Sequence, residues 1–261
     1  MSVLILIVFG IWRVTAGDAA TAPSLPRVAV EVALLAVALL VLSGVGAAIW
    51  GRSKGAQLLA RGTEKAIRGE LLAARACFAE GESVLPRWPS WAVHLGHVDL
   101  ALWRVPEALA DYQRGWARLL DEQAKRPAQA NRQAFQELKA SVPQWLALAT
   151  ALSGDAKASL EWLGKAGDLL ANVPATLARA VNACRAGDFA TAVRELAGFE
   201  NIARGGYVAV LGMTLQAWAL EQTTGEQLGV HRGLLFVECQ PADLARVWPE
   251  LAAFVERAPL R

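Results

Sequence analysis

At 261 residues, with 54% hydrophobic side chains and a positive mean hydropathy, the chain is more apolar than a water-soluble globule usually is, so contact with lipid is expected. Its 26 basic and 24 acidic residues leave a net charge of +2, which excludes the dense basic face of a nucleic-acid binder. Three cysteines, Cys77, Cys184 and Cys239, without a C-x-x-C spacing, exclude a disulfide framework and fit a reducing compartment with unpaired thiols.

The first predicted element is a membrane anchor over residues 1–54. Val32 to Trp50 is 19 consecutive residues without a charge, about 29 Å as a helix, against a hydrocarbon core of about 30 Å. Arg27 and Glu31 lie one helical turn apart and pair at the interface, so the span is predicted over 29–50. Val3 to Trp12 is apolar but covers only about 15 Å before Arg13, which makes a second span over 2–17 conditional on Arg13 snorkelling. A cleaved signal peptide is the alternative for that stretch, although no Lys or Arg precedes its apolar core. Arg52, Lys54, Arg61, Lys65 and Arg68 follow the longer span, so the positive-inside rule predicts an inner (cytoplasmic) membrane protein with its large C-terminal part in the cytoplasm.

Beyond Gly55 the apolar residues recur at three and four positions and strict alternation is absent, so the remainder is expected to be all helical. Gly62, Ala74, Phe78 and Gly81 return 34 positions later as Gly96, Ala108, Tyr112 and Gly115. Small residues allow helices to approach and an aromatic ring plugs the gap between hairpins, which is the arrangement of a helical repeat. Predicted helices run over 56–68 and 70–84, then 90–102 and 106–120, with Pro86 stopping one helix and Pro106 in the first turn of another. Pro127 breaks a polar stretch, an extra helix is predicted over 129–139, and two further hairpins over 143–153 with 156–170 and 174–186 with 189–200. Gly154-Asp155, Ala147 and Leu163 recur in that pair as Gly187-Asp188, Ala180 and Leu196. A fifth hairpin over 207–222 and 228–238 and a capping helix over 241–256 close the chain.

These residues resemble the tetratricopeptide repeat family. The late family motif, Ala-x-x-x-aromatic with a small residue three further on and a closing Pro, matches Ala74, Phe78, Gly81 and Pro86, and again Ala108, Tyr112 and Gly115. Leu95-Gly96 matches the early Leu-Gly pair, while Ala92 stands at the usual Trp site, Asp99 at the usual Tyr site and Leu120 at the second closing Pro. The resemblance implies an α-solenoid of helix-turn-helix repeats over about 55–88, 89–122, 140–172 and 173–206, followed by a degenerate hairpin and cap over 207–257.

It also implies that the first helix of each hairpin lines a concave groove. By the family's register the groove positions include Leu59 and Thr63, then Val93, His97 and Leu100, then Gln144 and Leu148, then Leu177 and Val181. That apolar set does not suit a carboxylate clamp and does suit an amphipathic or hydrophobic segment of another protein. The competing occupant is the last helix of the chain itself. Trp88 and Trp91, flanking Pro89 at a turn, are the expected exposed anchors among ten tryptophans.

His94 and His97, with Asp99 near, form the only arrangement resembling a metal site, and no third protein ligand is placed by the sequence. No nucleophile elbow, phosphate-cradling loop or Cys beside a His is present. The expected function is thus a non-enzymatic scaffold, without cofactor or metal, anchored in the lipid bilayer and recruiting a partner protein. The alternatives are a structural subunit packed against other subunits of a membrane complex, and a periplasmic assembly factor of inverted topology.

Overall fold

The computed structural model describes residues 50–130, 132–166, 172–203 and 206–260. Among them every regular element is a helix, and one isolated bridge pairs Val230 with Leu260. The compact unit Arg52–Arg261 begins with hairpin one, α1 over residues 50–67 and α2 over Leu71–Val84. Hairpin two is α3 (Pro89–Ala101) with α4 (Val105–Lys125). After the short α5 (Pro127–Ala130), hairpin three is α6 (Gln133–Leu152) with α7 (Ala156–Ala166), and hairpin four is α8 (Val173–Arg185) with α9 (Phe189–Glu195). Short α10 (Phe199–Ile202) leads to the long α11 (Gly206–Thr224), and α12 (Arg232–Leu235), α13 (Pro241–Val247) and α14 (Pro249–Arg257) complete the chain.

Prolines set many of the starts. Pro89, Pro106, Pro174, Pro241 and Pro249 stand at the first or second helical position, where a missing N–H removes no intrahelical bond. Within the hairpins, small residues let the helices meet. A methyl group on Gly62 would run into the Phe78 ring, and one on Gly96 would lie 2.7 Å from the Tyr112 ring. Ala74 and Ala108 are fully buried on the facing helices. In hairpins three and four the fully buried Ala147 and Ala180 precede Leu163 and Leu196 at the same spacing, a slightly larger small residue with a slightly smaller plug sixteen positions on.

The second helix of one hairpin packs on the first helix of the next, α2 on α3 and α4 on α6, while hairpins three and four meet through their first helices. α3 contacts α2, α4 and α6, and α6 contacts α8, which in turn contacts α11. α3 is apolar on nearly all sides because it is enclosed on nearly all sides.

Several boundaries differ from expectation. The helix expected over 129–139 and the one expected from Pro143 are one helix, Gln133–Leu152, with the buried Pro143 inside it. Packing of Val142, Leu146 and Leu148 in the core outweighs the one missing hydrogen bond. The helix expected over 189–200 stops at Glu195, because Gly198 takes φ of 72° and turns the chain before Phe199. The expected 228–238 helix is reduced to Arg232–Leu235, and the expected capping helix is two helices divided at Trp248-Pro249.

The expected inner-membrane location is corrected. Among the described residues no helix is long and apolar enough to cross a membrane. The most apolar long helix, Gly206–Thr224, turns Leu211, Leu215 and Trp218 into protein contacts and is diluted by Thr, Gln and Glu positions. The spans expected over 2–17 and 29–50 lie outside the described residues, apart from Trp50.

Candidate interaction surface

The turns joining the two helices of each hairpin are built alike. Gly69, Trp103, Gly154 and Gly187 donate their N–H to Ala66, Leu100, Ala151 and Cys184, and the next residue donates to Lys65, Asp99, Thr150 and Ala183. This is the Schellman pattern, in which the first of the two donors takes a left-handed backbone. Three of the four positions are glycine, with φ of 80°, 90° and 74°; the fourth is Trp103, at φ of 58°. An aromatic residue in that conformation is costly and marks a position where the side chain is needed.

The expected groove residues are not all accessible. Val93, Leu100, Gln144, Leu148, Leu177 and Val181 are each no more than 2% exposed and belong to the interior. Trp91, expected as an exposed anchor, is fully buried: its indole fills the space left by Gly81, where a methyl group would lie 2.6 Å from the ring. Its neighbour Trp88 remains 40% exposed and meets it edge-on at 5.2 Å. Thr63 is exposed and Leu59 and His97 are half-buried, so the most accessible positions lie on the first hairpin and at Trp88.

His97 is enclosed by aromatics. Its Nδ1 is 2.8 Å from the Tyr112 hydroxyl and its ring 4.3 Å from that of Trp145, and burial lowers its pKa to about 3. His94 stacks on Phe78 at 5.0 Å, and burial lowers its pKa as well. Asp99, the third member of the conceivable metal group, turns instead to Arg75, whose Nε donates to it at 2.8 Å. Among the described residues no group of three or more potential ligands is placed to hold a metal.

That Asp99–Arg75 pair belongs to a seam of charges between hairpins one and two. Arg114 and Arg118 donate to Glu82 across the seam, at 3.2 and 2.6 Å, and Arg114 pairs with Asp111 at 2.7 Å. Burial pushes the Asp111 carboxyl up to about 6 despite Arg114.

What covers the row of turns is the chain's own C-terminal segment. Val237 lies over Gly69 at the first turn, and Glu238 accepts from the Leu72 N–H at 2.7 Å. At the second turn Trp103 Nε1 donates to the Leu235 carbonyl at 3.2 Å, while its ring meets Tyr207 edge-on at 5.4 Å. At the last two turns Arg185 donates to Leu152 and Val247 carbonyls, at 2.6 and 2.9 Å, and its guanidinium lies 4.4 Å over the Trp248 ring. Residues 235–248 thus run along the whole row of turns. Trp103, Arg185 and Leu235 carry this arrangement and were not legible as functional in the sequence; the signal available was a Trp standing where Gly69, Gly154 and Gly187 stand in the other hairpins.

Comparison with known proteins finds no matching family model, no matching curated relative and no matching solved structure.

Proposed function

We propose that this chain is a stack of tetratricopeptide-like hairpins that binds a hydrophobic or amphipathic segment of another protein and holds it without chemistry. The observation that carries this reading is the repetition of one hairpin design, with the same hydrogen-bonded turn four times and a small residue set against a plug at a constant spacing. A chain that spends its sequence on copying a packing unit, rather than on converging polar groups, is a surface-building chain. The binding surface is the first hairpin, where Leu59 and Thr63 face the groove, together with Trp88 at the turn that follows. The inner positions of hairpins three and four already hold the chain's own residues.

Site-specific photocrosslinking in the cells that make the protein tests this directly. A crosslinker at Thr63 or Trp88 is expected to trap one discrete partner, and one at the buried Leu177 to trap none. Leu59→Glu is expected to abolish the Thr63 adduct. Equal labelling of many proteins from Thr63, unaffected by Leu59→Glu, would refute the reading.

A further inference from the structure

The segment between α11 and α13 is unlike the helices on either side of it. Residues 225–229 are irregular and mostly exposed, α12 has only four residues, and Leu234 is 56% exposed. At the far end the chain becomes firm again at Gln240, where the Gln240 and Asp243 side chains cap each other's backbone N–H groups and start α13. Between these limits Arg232 ties the start of α12 to the Glu256 and Ala258 carbonyls, and Phe236, Val237 and Cys239 pack half-buried against the cores.

Those contacts are specific. Leu235 is buried, its carbonyl accepts from Trp103, and Val237 sits over Gly69. Helix α2 has no side-chain cap from its own N-cap residue, Glu70; the carboxylate that meets its first turn comes from Glu238 at the other end of the chain. A carboxylate there satisfies an orphan N–H and the positive end of the helix dipole together.

Both non-glycine residues with left-handed backbone among the described residues stand at this junction, Trp103 at φ of 58° and Glu238 at φ of 54°. One supplies the indole that grips Leu235, the other the carboxylate that grips α2. Each of the two contacts is thus made from a strained backbone, and the specific bonds define the closed position.

We propose that residues 233–240 form a latch, closed by Glu238 on the N-terminus of α2 and by Trp103 on Leu235, which opens with the unwinding of α12 while Arg232 stays tied to the end of α14 and α11 and α13–α14 stay folded. Opening turns Leu235 out and uncovers Trp103 and Tyr207 beside the end of α1, the helix that carries Leu59 and Thr63. An apolar residue of the partner segment then takes the place of Leu235. This last step rests on the binding reading above; the latch itself does not.

Hydrogen exchange on the intact chain tests it. The amides of Leu72, Leu235 and Phe236 are expected to exchange at least about tenfold faster than those in the middle of α11, with no dependence on global unfolding at low denaturant. Glu238→Gln, which keeps the side chain's size, is expected to speed those three amides several-fold and leave α11 and α14 unchanged. Trp103→Gly separates a latch from plain filling: it restores the glycine of the other turns and relieves the backbone, yet is expected to speed exchange at Leu235 and Phe236. Exchange of residues 233–240 at the same rate as α11, or a Trp103→Gly chain whose Leu235 amide is no faster than wild type, would overturn the latch. No partner enters the measurement, so a failed crosslink at Thr63 sinks the binding reading and leaves this result standing.

Discussion

The first two hairpins and the C-terminal segment solve the same packing problem by different means. In residues 50–125 the code is local and repeated: Gly62 under Phe78, Gly96 under Tyr112, a cross-seam set of charges, one turn pattern. In residues 206–260 no unit recurs, and burial depends on single large side chains reaching distant partners. Trp218 meets Trp248 edge-on at 5.5 Å and Phe189 at 5.1 Å, and Arg232 donates to the Glu256 and Ala258 carbonyls. Repetition makes a region readable from its neighbours in sequence; singular long-range contacts make it readable only once folded. The one echo of the front code in the back is reversed: a methyl group on Gly212 would run into the ring of Phe199, with the aromatic preceding the glycine.

The largest break in this comparison is expected at Trp248. It is 2% exposed, packs on Trp218, and lies under the Arg185 guanidinium that joins hairpins three and four to the C-terminal segment. Trp248→Ala is expected to cost about 3–5 kcal/mol in chemical unfolding and to loosen α8 and α14 together. A loss confined to α14 would show that the segment is an appendage rather than part of the stack's core.

Next in size is a conversion of one region's code into another's. Gly96→Ala alone drives a methyl group against Tyr112 and is expected to cost about 1–3 kcal/mol. Adding Tyr112→Leu reproduces the Ala180–Leu196 pairing of hairpin four, and the double variant is expected to be more stable than the two single losses summed. Strict additivity would mean that the two spacings do not represent the same packing site.

Much of the helical layout was legible because it followed from local chemistry. The helix starts at Pro89, Pro106 and Pro174 and the turns at Gly154 and Gly187 coincide with their sequence signals. Pro143 misled, since a proline reads locally as a helix start, and only the core contacts of Val142, Leu146 and Leu148 show that it lies inside a longer helix. The residues expected to line a groove were legible as positions on the hairpins' first helices but not as accessible or buried surface. Exposure of Leu177 or Val181 depends on whether Trp248, Leu251 and Phe254 join the same core, and nothing within one repeat carries that information. Trp91 looked like an anchor because it flanks a turn, and Gly81 behind it is what makes it a plug.

The smallest effect, and the one confined to the front region, is in pH. His97 has an ordinary pKa of 6.5 and a folded value of about 3, so the unfolded chain binds the proton first. Its contribution to stability is present above pH 6.5 and is lost as the pH falls from there toward 3. His94 is shifted in the same direction and acts with the same sign. Asp111 acts oppositely: its folded value of about 6 stands above the ordinary 3.8, so the folded chain takes up its proton first and gains stability as the pH falls from 6 toward 3.8. All three lie in hairpin two, and the two histidines prevail because they number two against one and the His97 shift is the wider. Acid between pH 6 and 4 is therefore expected to lower protection in α3 and α4 before α11. His97→Gln, which retains a hydrogen bond to Tyr112, is expected to match wild type at pH 7 to within about 1 kcal/mol and to lose less stability at pH 4.5. Asp111→Asn is expected to steepen the same acid loss by removing the opposing proton uptake. Parallel pH profiles for wild type and both variants would mean that these side chains are solvated rather than enclosed.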